Sequence, residues 1–210
     1  MTMGGKQMLK MPVGLYEKAL PPELSWEERL GAAGQAGYDF IDISIDESDG
    51  RLSRLDWSAA ERAALRRAIA NTGVQVSTMC LSAHRKYPFG SKDPAIRRQG
   101  HEIMYKAIDF AVDIGLRVVQ VMAYDVFYEP SDEETRANFI DGLALHPESD
   151  QQPPDLGIGG LTGHHLPHHV RHVLTTEVVL RHQPGQRLLD IHMIALTVRE
   201  NCATGRGHAR

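Results

Sequence analysis

The sequence predicts an α/β fold over residues 12–143, a parallel sheet covered by helices, followed by an unrelated, poorly ordered tail over residues 144–210. Three observations carry that reading. Four β-like runs alternate with capped amphipathic helices, and turn glycines close those helices. The composition then breaks. All thirteen aromatic residues lie at or before Phe139, the last lysine is Lys106, and nine of the eleven histidines follow Leu143.

The elements follow in order. Pro12-Val-Gly-Leu-Tyr16 is a short strand, and Ser25-Trp-Glu-Glu28 is a capping box that opens a helix carrying Leu30, Ala33 and Gly34 toward a stop at Gly37. Tyr38 to Ile45 alternates with period two and is the second strand. Ser58-Ala-Ala-Glu61 opens a helix with Ala64, Leu65, Ala68 and Ile69 on one side, ending at Asn71-Thr-Gly73. Val74 to Leu81 is the third strand. Asp93-Pro94 is an N-cap followed by proline at the first helical position, and that helix runs through Ile103, Met104, Ala107, Ile108 and Ala111 to Gly115. Leu116 to Met122 is the fourth strand, and Ser131-Asp-Glu-Glu134 is a third capping box.

The strand-to-strand spacing of about 25–45 residues suits a (β/α) barrel with extended βα loops. A flavodoxin-like open sheet is the alternative, but Tyr16-Glu17-Lys18 stands where a glycine-rich phosphate loop would follow strand one. A net charge of −4 gives no electrostatic footprint for nucleic acid or an anionic membrane. No apolar run approaches the roughly 20 residues that span a bilayer, and the N-terminus does not read as a signal peptide. Two cysteines, Cys80 and Cys202, cannot build a disulfide framework, and a reducing, cytoplasmic location is expected.

In a barrel, chemistry sits at the C-terminal strand ends. Here these carry Tyr16, Glu17 and Lys18, then Ser44, Asp46, Glu47 and Asp49, then Ser82, His84, Arg85 and Lys86, and lastly Tyr124, Asp125 and Tyr128. Singly, each is also what a solvated loop carries. Together they favour a polar ligand, sugar-like or phosphorylated. His84-Arg85-Lys86 is the best local candidate for holding an anion, with a basic surface loop as the bland reading. Cys80 reads as a buried, inert thiol. Trp26 and Trp57 read as packing residues at helix entrances.

Several segments carry a resemblance. Pro12-Val-Gly-Leu-Tyr-Glu-Lys-Ala-Leu20, Ile43-Ser-Ile-Asp-Glu47, Arg51-Leu-Ser-Arg-Leu-Asp-Trp57, Met79-Cys-Leu-Ser-Ala-His-Arg85, Gly100 to Ile108 and Val119 to Val126 closely resemble the bacterial L-ribulose-5-phosphate 3-epimerases of sugar-acid catabolism. That family belongs to the xylose isomerase-like TIM barrels. The resemblance implies that residues 12–143 are the N-terminal half of a TIM (β/α)8 barrel, about four βα units. It also implies interconversion of L-ribulose 5-phosphate and L-xylulose 5-phosphate, in pentose or ascorbate-type sugar catabolism. A proton leaves carbon 3 and returns to the opposite face, between two carboxylates, while a divalent cation stabilises the enediolate.

In family members the metal ligands are two Glu, one Asp and one His on strands five to eight, and this chain loses the family pattern before strand five. No catalytic residue and no metal ligand is therefore carried over; Thr176-Glu-Val-Val179 resembles a ligand strand only superficially. The substrate-binding candidates are Glu17, Ser44, His84, Arg85 and Tyr124, and the partner implied is a phosphorylated ketopentose. An epimerase chain cut short and inactive by itself is the expectation.

The tail has the composition of GC-rich DNA translated out of frame. The competing reading is a non-enzymatic half-barrel fragment with a metal-chelating tail, since His164 to His172 places histidines at i, i+4 three times. The stretch Val170 to Leu180 is expected to be weakly ordered. A barrel acting on unphosphorylated ketoses, or a metal-dependent endonuclease, is a third reading that the charge balance and His84-Arg85 disfavour. Half a barrel is also expected to expose two sheet edges and a broad apolar face, and so to self-associate.

Overall fold

A computed structural model describes residues 11–143 and the backbone of residues 193–197. Five strands form one sheet in the order β1-β2-β3-β4-β5. Strands β1 (Gly14–Tyr16), β2 (Phe40–Ile45), β3 (Gln75–Leu81) and β4 (Val118–Met122) are mutually parallel. Helices α1 (Trp26–Gln35), α2 (Asp49–Leu52), α3 (Ala59–Thr72) and α4 (Pro94–Ile114) lie between them, and α5 (Glu133–Leu143) follows β4.

Local chemistry explains most boundaries. Ser25 and Ser58 each accept from the backbone N–H of the glutamate three residues on, at 3.3 Å, and each glutamate returns the bond to the serine N–H at 2.8 Å. Each exchange satisfies two of the orphan donors at a helix start. Gly73 and Gly115 end α3 and α4 with φ of 73° and 83°, a left-handed turn that costs glycine nothing. The cap of α5 sits one residue later than the sequence suggests. Asp132 and Thr135 exchange side chain to backbone bonds of 3.0 and 2.8 Å, while Ser131 instead donates to Asp125 Oδ2 at 2.7 Å.

The strands have two unlike faces. Ile41, Ile43, Ile45, Val76, Met79, Leu81, Val119 and Val121 are buried in the core with Leu30, Leu65, Met104, Ile108 and Phe110 of the helices. Val76 and Met79 are three residues apart and yet share this core, because the register slips between Ile41/Val76 and Asp42/Thr78. The extra residue in that slip is Ser77, a bulge that resets the alternation. The intervening positions Asp42, Ser44, Thr78, Cys80 and Gln120 are polar and line up across the sheet. The expected broad apolar face is therefore absent among the described residues. Exposed large apolar side chains there are Met11, Val13, Tyr16, Phe127, Tyr128 and Ile140, scattered at the start of the chain, in the loop after β4 and on α5.

Buried arginines join the helices to one another. Arg62 of α3 reaches Asp109 and Asp113 of α4 at 2.8 and 2.7 Å and lies over the Phe110 ring. Trp57, as expected, packs against Phe110, with centroids 6.0 Å apart.

The sheet ends in two edge strands, β1 and β5, rather than β1 and β4. Strand β5 (Met193–Thr197) lies against β4 in antiparallel register, Val118 opposite Thr197 and Met122 opposite Met193, so β4 is not a free edge. The histidines of 164–172 and the stretch 170–180 lie outside the described residues.

Gly90 ties the loop after β3 to the loop after β4. A Cβ there would stand 2.3 Å from the Asp125 carbonyl oxygen and 2.7 Å from that of Thr135, whereas Gly50 in α2 meets nothing within 4 Å. Gly90→Ala should destabilise the chain by about 1–3 kcal/mol. Gly50→Ala should be neutral or stabilising by up to about 1 kcal/mol. Urea-unfolding midpoints of the two variants check the contrast.

Candidate functional site

At the end of β1, Glu17 turns inward and is fully buried. Its carboxylate meets Arg54 at 2.7 and 2.9 Å, Arg29 at 3.3 Å and Arg51 at 3.6 Å, and accepts the backbone N–H of Ser44 at 2.8 Å. Arg29 and Arg54 both lie over the Trp26 ring, 5.4 Å from its centroid, which keeps their guanidinium planes in place. Glu17 thus sits beneath the strand-end surface, with its oxygens already taken. It holds the backbone of Ser44, whose Oγ lies 3.1 Å from the Tyr16 hydroxyl.

Beside it, Asp46 holds Lys18 at 2.6 Å and accepts from Ser48. Burial alone would raise the Asp46 carboxyl, but the Lys18 and Ser48 hydrogen bonds outweigh it and hold it at about 2. On the face of the sheet opposite the aliphatic core, burial pushes up Asp42, which accepts from Thr78 Oγ1 at 2.8 Å. Burial likewise pushes up the Tyr16 hydroxyl and the Cys80 thiol, and the half-buried Cys80 keeps its proton.

Among the described residues, six buried polar side-chain atoms have no partner at full hydrogen-bond distance: Glu47 Oε2, Arg51 Nε (3.6 Å from Glu17), Ser82 Oγ, His84 Nδ1, Arg85 Nε and the Tyr124 hydroxyl, which Arg85 approaches. All six follow the C-terminal ends of β2, β3 and β4. Buried polar atoms ordinarily find partners, so this grouping marks the end of the sheet that can receive a polar ligand. Glu47, Ser82, His84, Arg85 and Tyr124 were all legible as strand-end residues, the last three as substrate-binding candidates. Arg51 was missed because the short helix α2 was missed.

The basic triplet after β3 is not a cluster of three cations. His84 is buried, its ring 4.4 Å from that of Phe89 and its Nε2 3.1 Å from the Gly100 carbonyl oxygen. Burial lowers the imidazole to about 4, against the raising effect of that carbonyl, so the ring is neutral near pH 7. Arg85 lies over the Phe127 ring, and Lys86 is exposed over Tyr87.

The cation implied by the resemblance finds no ligand set here: among the described residues, no three His, Cys, Asp or Glu side chains come together. No helix among those residues is long and apolar enough to cross a membrane.

A family model described as xylose isomerase-like TIM barrel matches residues 30–146. The chain belongs to this family. It is 57% identical over 134 residues to L-ribulose-5-phosphate 3-epimerase UlaE of Salmonella typhimurium, covering 64% of this chain and 47% of that protein. The same enzyme of Salmonella paratyphi B matches at 56% over the same shares. The chain therefore spans about half the length of the curated relatives it matches. Among solved structures, a D-psicose 3-epimerase in the presence of D-fructose superposes with a TM-score of 0.52 at 16% identity, over 63% of this chain and 46% of that one. D-psicose 3-epimerase from Clostridium cellulolyticum H10 with D-tagatose gives 0.50 at 12% identity, over 63% and 46%. At these identities the likeness speaks to the fold alone.

Two outcomes follow from the site's electrostatics. Glu17→Gln leaves buried guanidinium groups without their counter-charge and should cost about 3–5 kcal/mol of stability, read by urea unfolding. Because folding depresses the His84 pKa from 6.5 to about 4, its contribution is full above pH 6.5 and is lost as pH falls toward 4. That loss is on the order of 3 kcal/mol. His84→Gln should flatten most of the pH dependence in that window; an unchanged slope would show that the ring is not held neutral.

Proposed function

We propose that residues 12–143 are the substrate-side half of an L-ribulose-5-phosphate 3-epimerase barrel, and that the ends of β1–β4 bind a phosphorylated ketopentose. The observation that carries this reading is the 57% identity over 134 residues, 64% of the chain. The chemistry of the strand ends supports it. A ketopentose phosphate offers hydroxyls, a carbonyl and a dianionic phosphate. The unpartnered atoms of Ser82, His84, Arg85 and Tyr124 offer matching donors and an acceptor. The neutral imidazole is suited to accept from a sugar hydroxyl at Nδ1 while Nε2 donates to Gly100.

The reaction named for the relatives requires removal of the proton beside the carbonyl and its return to the other face. A divalent cation would stabilise the enediolate in such chemistry, but the described residues do not form its ligand set, and no step is assigned to them through it. Binding and orientation are the tasks of this half: Tyr16 and Ser44 form a hydrogen-bonded pair on the polar face of the sheet, with the Ser44 backbone held by Glu17.

The chain should bind L-ribulose 5-phosphate saturably without exchanging its carbon-3 proton. Proton NMR in deuterated buffer with Mg²⁺, Mn²⁺ or Zn²⁺ reads both properties. Deuterium appearing at carbon 3 would overturn the assignment of binding without turnover, and absence of binding would overturn the whole reading.

A further inference from the structure

We propose that the outer edge of β5 is a self-recognition surface, on which two copies of this chain pair strand against strand about a two-fold axis through Ala195. The inference goes beyond the epimerase reading and stands without it.

A sheet edge offers a row of backbone N–H and C=O groups, and monomeric proteins blunt it with short strands, prolines, charges or bulges. The two edges of this sheet differ in that respect. Strand β1 has three residues, Pro12 stands just ahead of it, and a 3-10 turn bearing Lys18 ends it at once. Strand β5 has five residues, Met-Ile-Ala-Leu-Thr, without proline, glycine or charge. Its register against β4 runs through all of them without a slip, unlike the β2–β3 pairing. It is the last strand in the order of the sheet, and no strand lies beyond it among the described residues. One side of β5 is thus engaged in antiparallel pairing, and the other is open to the same.

Symmetry selects the partner. Pairing β5 with the β1 edge of another copy is head to tail and leaves a fresh β5 at each step, so copies would add without end. The blunted β1 opposes that. Two β5 edges related by a two-fold axis are necessarily antiparallel, and their contact closes at two copies. The product is a ten-stranded sheet, five strands from each copy.

The pleat fixes where the axis falls. Alternate residues turn both backbone groups outward, and in an antiparallel pair such a residue meets another of the same kind. For two identical strands the axis therefore passes through a residue and not between two. Centred on Ala195, the whole strand pairs: Met193 with the second copy's Thr197, Ile194 with its Leu196, and Ala195 with its counterpart. Centring on Ile194 or Leu196 leaves part of the strand unpaired. The central register closes roughly four to six backbone hydrogen bonds. So small a contact makes a reversible dimer rather than a permanent one.

Ala195 is also the position at which the surface can be tested without disturbing the core. It continues the row Ser44, Cys80, Gln120 across the sheet, so a charge placed there joins the polar face.

The test is sedimentation velocity on the full chain over about a hundredfold range of concentration. The parent should pass reversibly from monomer to dimer. Ala195→Lys and Ala195→Glu, each alone, set like charges against one another at the axis and should weaken the dimer by about tenfold or more. Mixed in equal amounts, the two variants should dimerise again, since opposite charges then meet. Val13→Lys, at the exposed start of the chain beside β1, should dimerise as the parent does.

A parent that stays monomeric, or that grows past two copies, would overturn the proposal. So would a dimer that both Ala195 variants leave intact, a mixture that fails to restore it, or an equal loss in Val13→Lys. Should the Ala195 variants fail to fold, amide hydrogen exchange of the parent decides. Alternate amides within Met193–Thr197 should gain protection as concentration rises, and protection independent of concentration would remove the pairing.

Discussion

The carboxylate of Glu17 is the point on which this half-barrel is hung. One buried anion gathers guanidinium groups from α1, from α2 and from the short 3-10 turn that follows α2, and it also takes the N–H of Ser44 on β2. Such an arrangement is expensive to desolvate, and removing one member leaves the others uncompensated. Its gain is geometric. The first two strand ends cannot slide relative to one another, and the Tyr16–Ser44 pair on the polar face of the sheet inherits that fixity.

The two faces of the sheet divide the remaining work. The side toward the helices is closed by aliphatic side chains at no exposure or nearly none. The opposite side carries Asp42, Ser44, Thr78 and Cys80, and the rim above it leaves polar atoms unanswered. Unsatisfied groups are a cost to folding wherever they occur, and they collect at functional positions. Here they gather at the strand ends, while the core shows full agreement between pattern and packing.

Much of the fold was legible in the sequence because its signals are local. The capping boxes at Ser25 and Ser58, the proline after Asp93 and the glycines at 73 and 115 each act within one helical turn. Where two good caps adjoin, as at Ser131 and Asp132, local signals do not separate them; Thr135 decides between them by returning a bond to Asp132. The site was only partly legible. A glutamate after a strand reads alike whether it faces water or three arginines, and its partners at 29 and 54 lie 12 and 37 residues away. His84 reads as a cation beside Arg85 until Phe89 and Gly100 are seen to enclose it. Strand β5 escaped notice because four apolar residues and a threonine in an aromatic-free stretch announce no pairing partner, least of all one so distant in the chain.

That fifth strand changes how the sheet could be extended. A parallel barrel grows by returning each crossover to the same end, so that every strand delivers its C-terminus to the site. Strand β5 runs the other way, from Met193 beside Met122 down to Thr197 beside Val118, and so delivers the chain to the floor of the half-barrel. It occupies the row of backbone donors and acceptors on β4 that a parallel neighbour would need. Any polypeptide completing the cylinder must first peel this ribbon away, or else build outward from its far side with the polarity inverted.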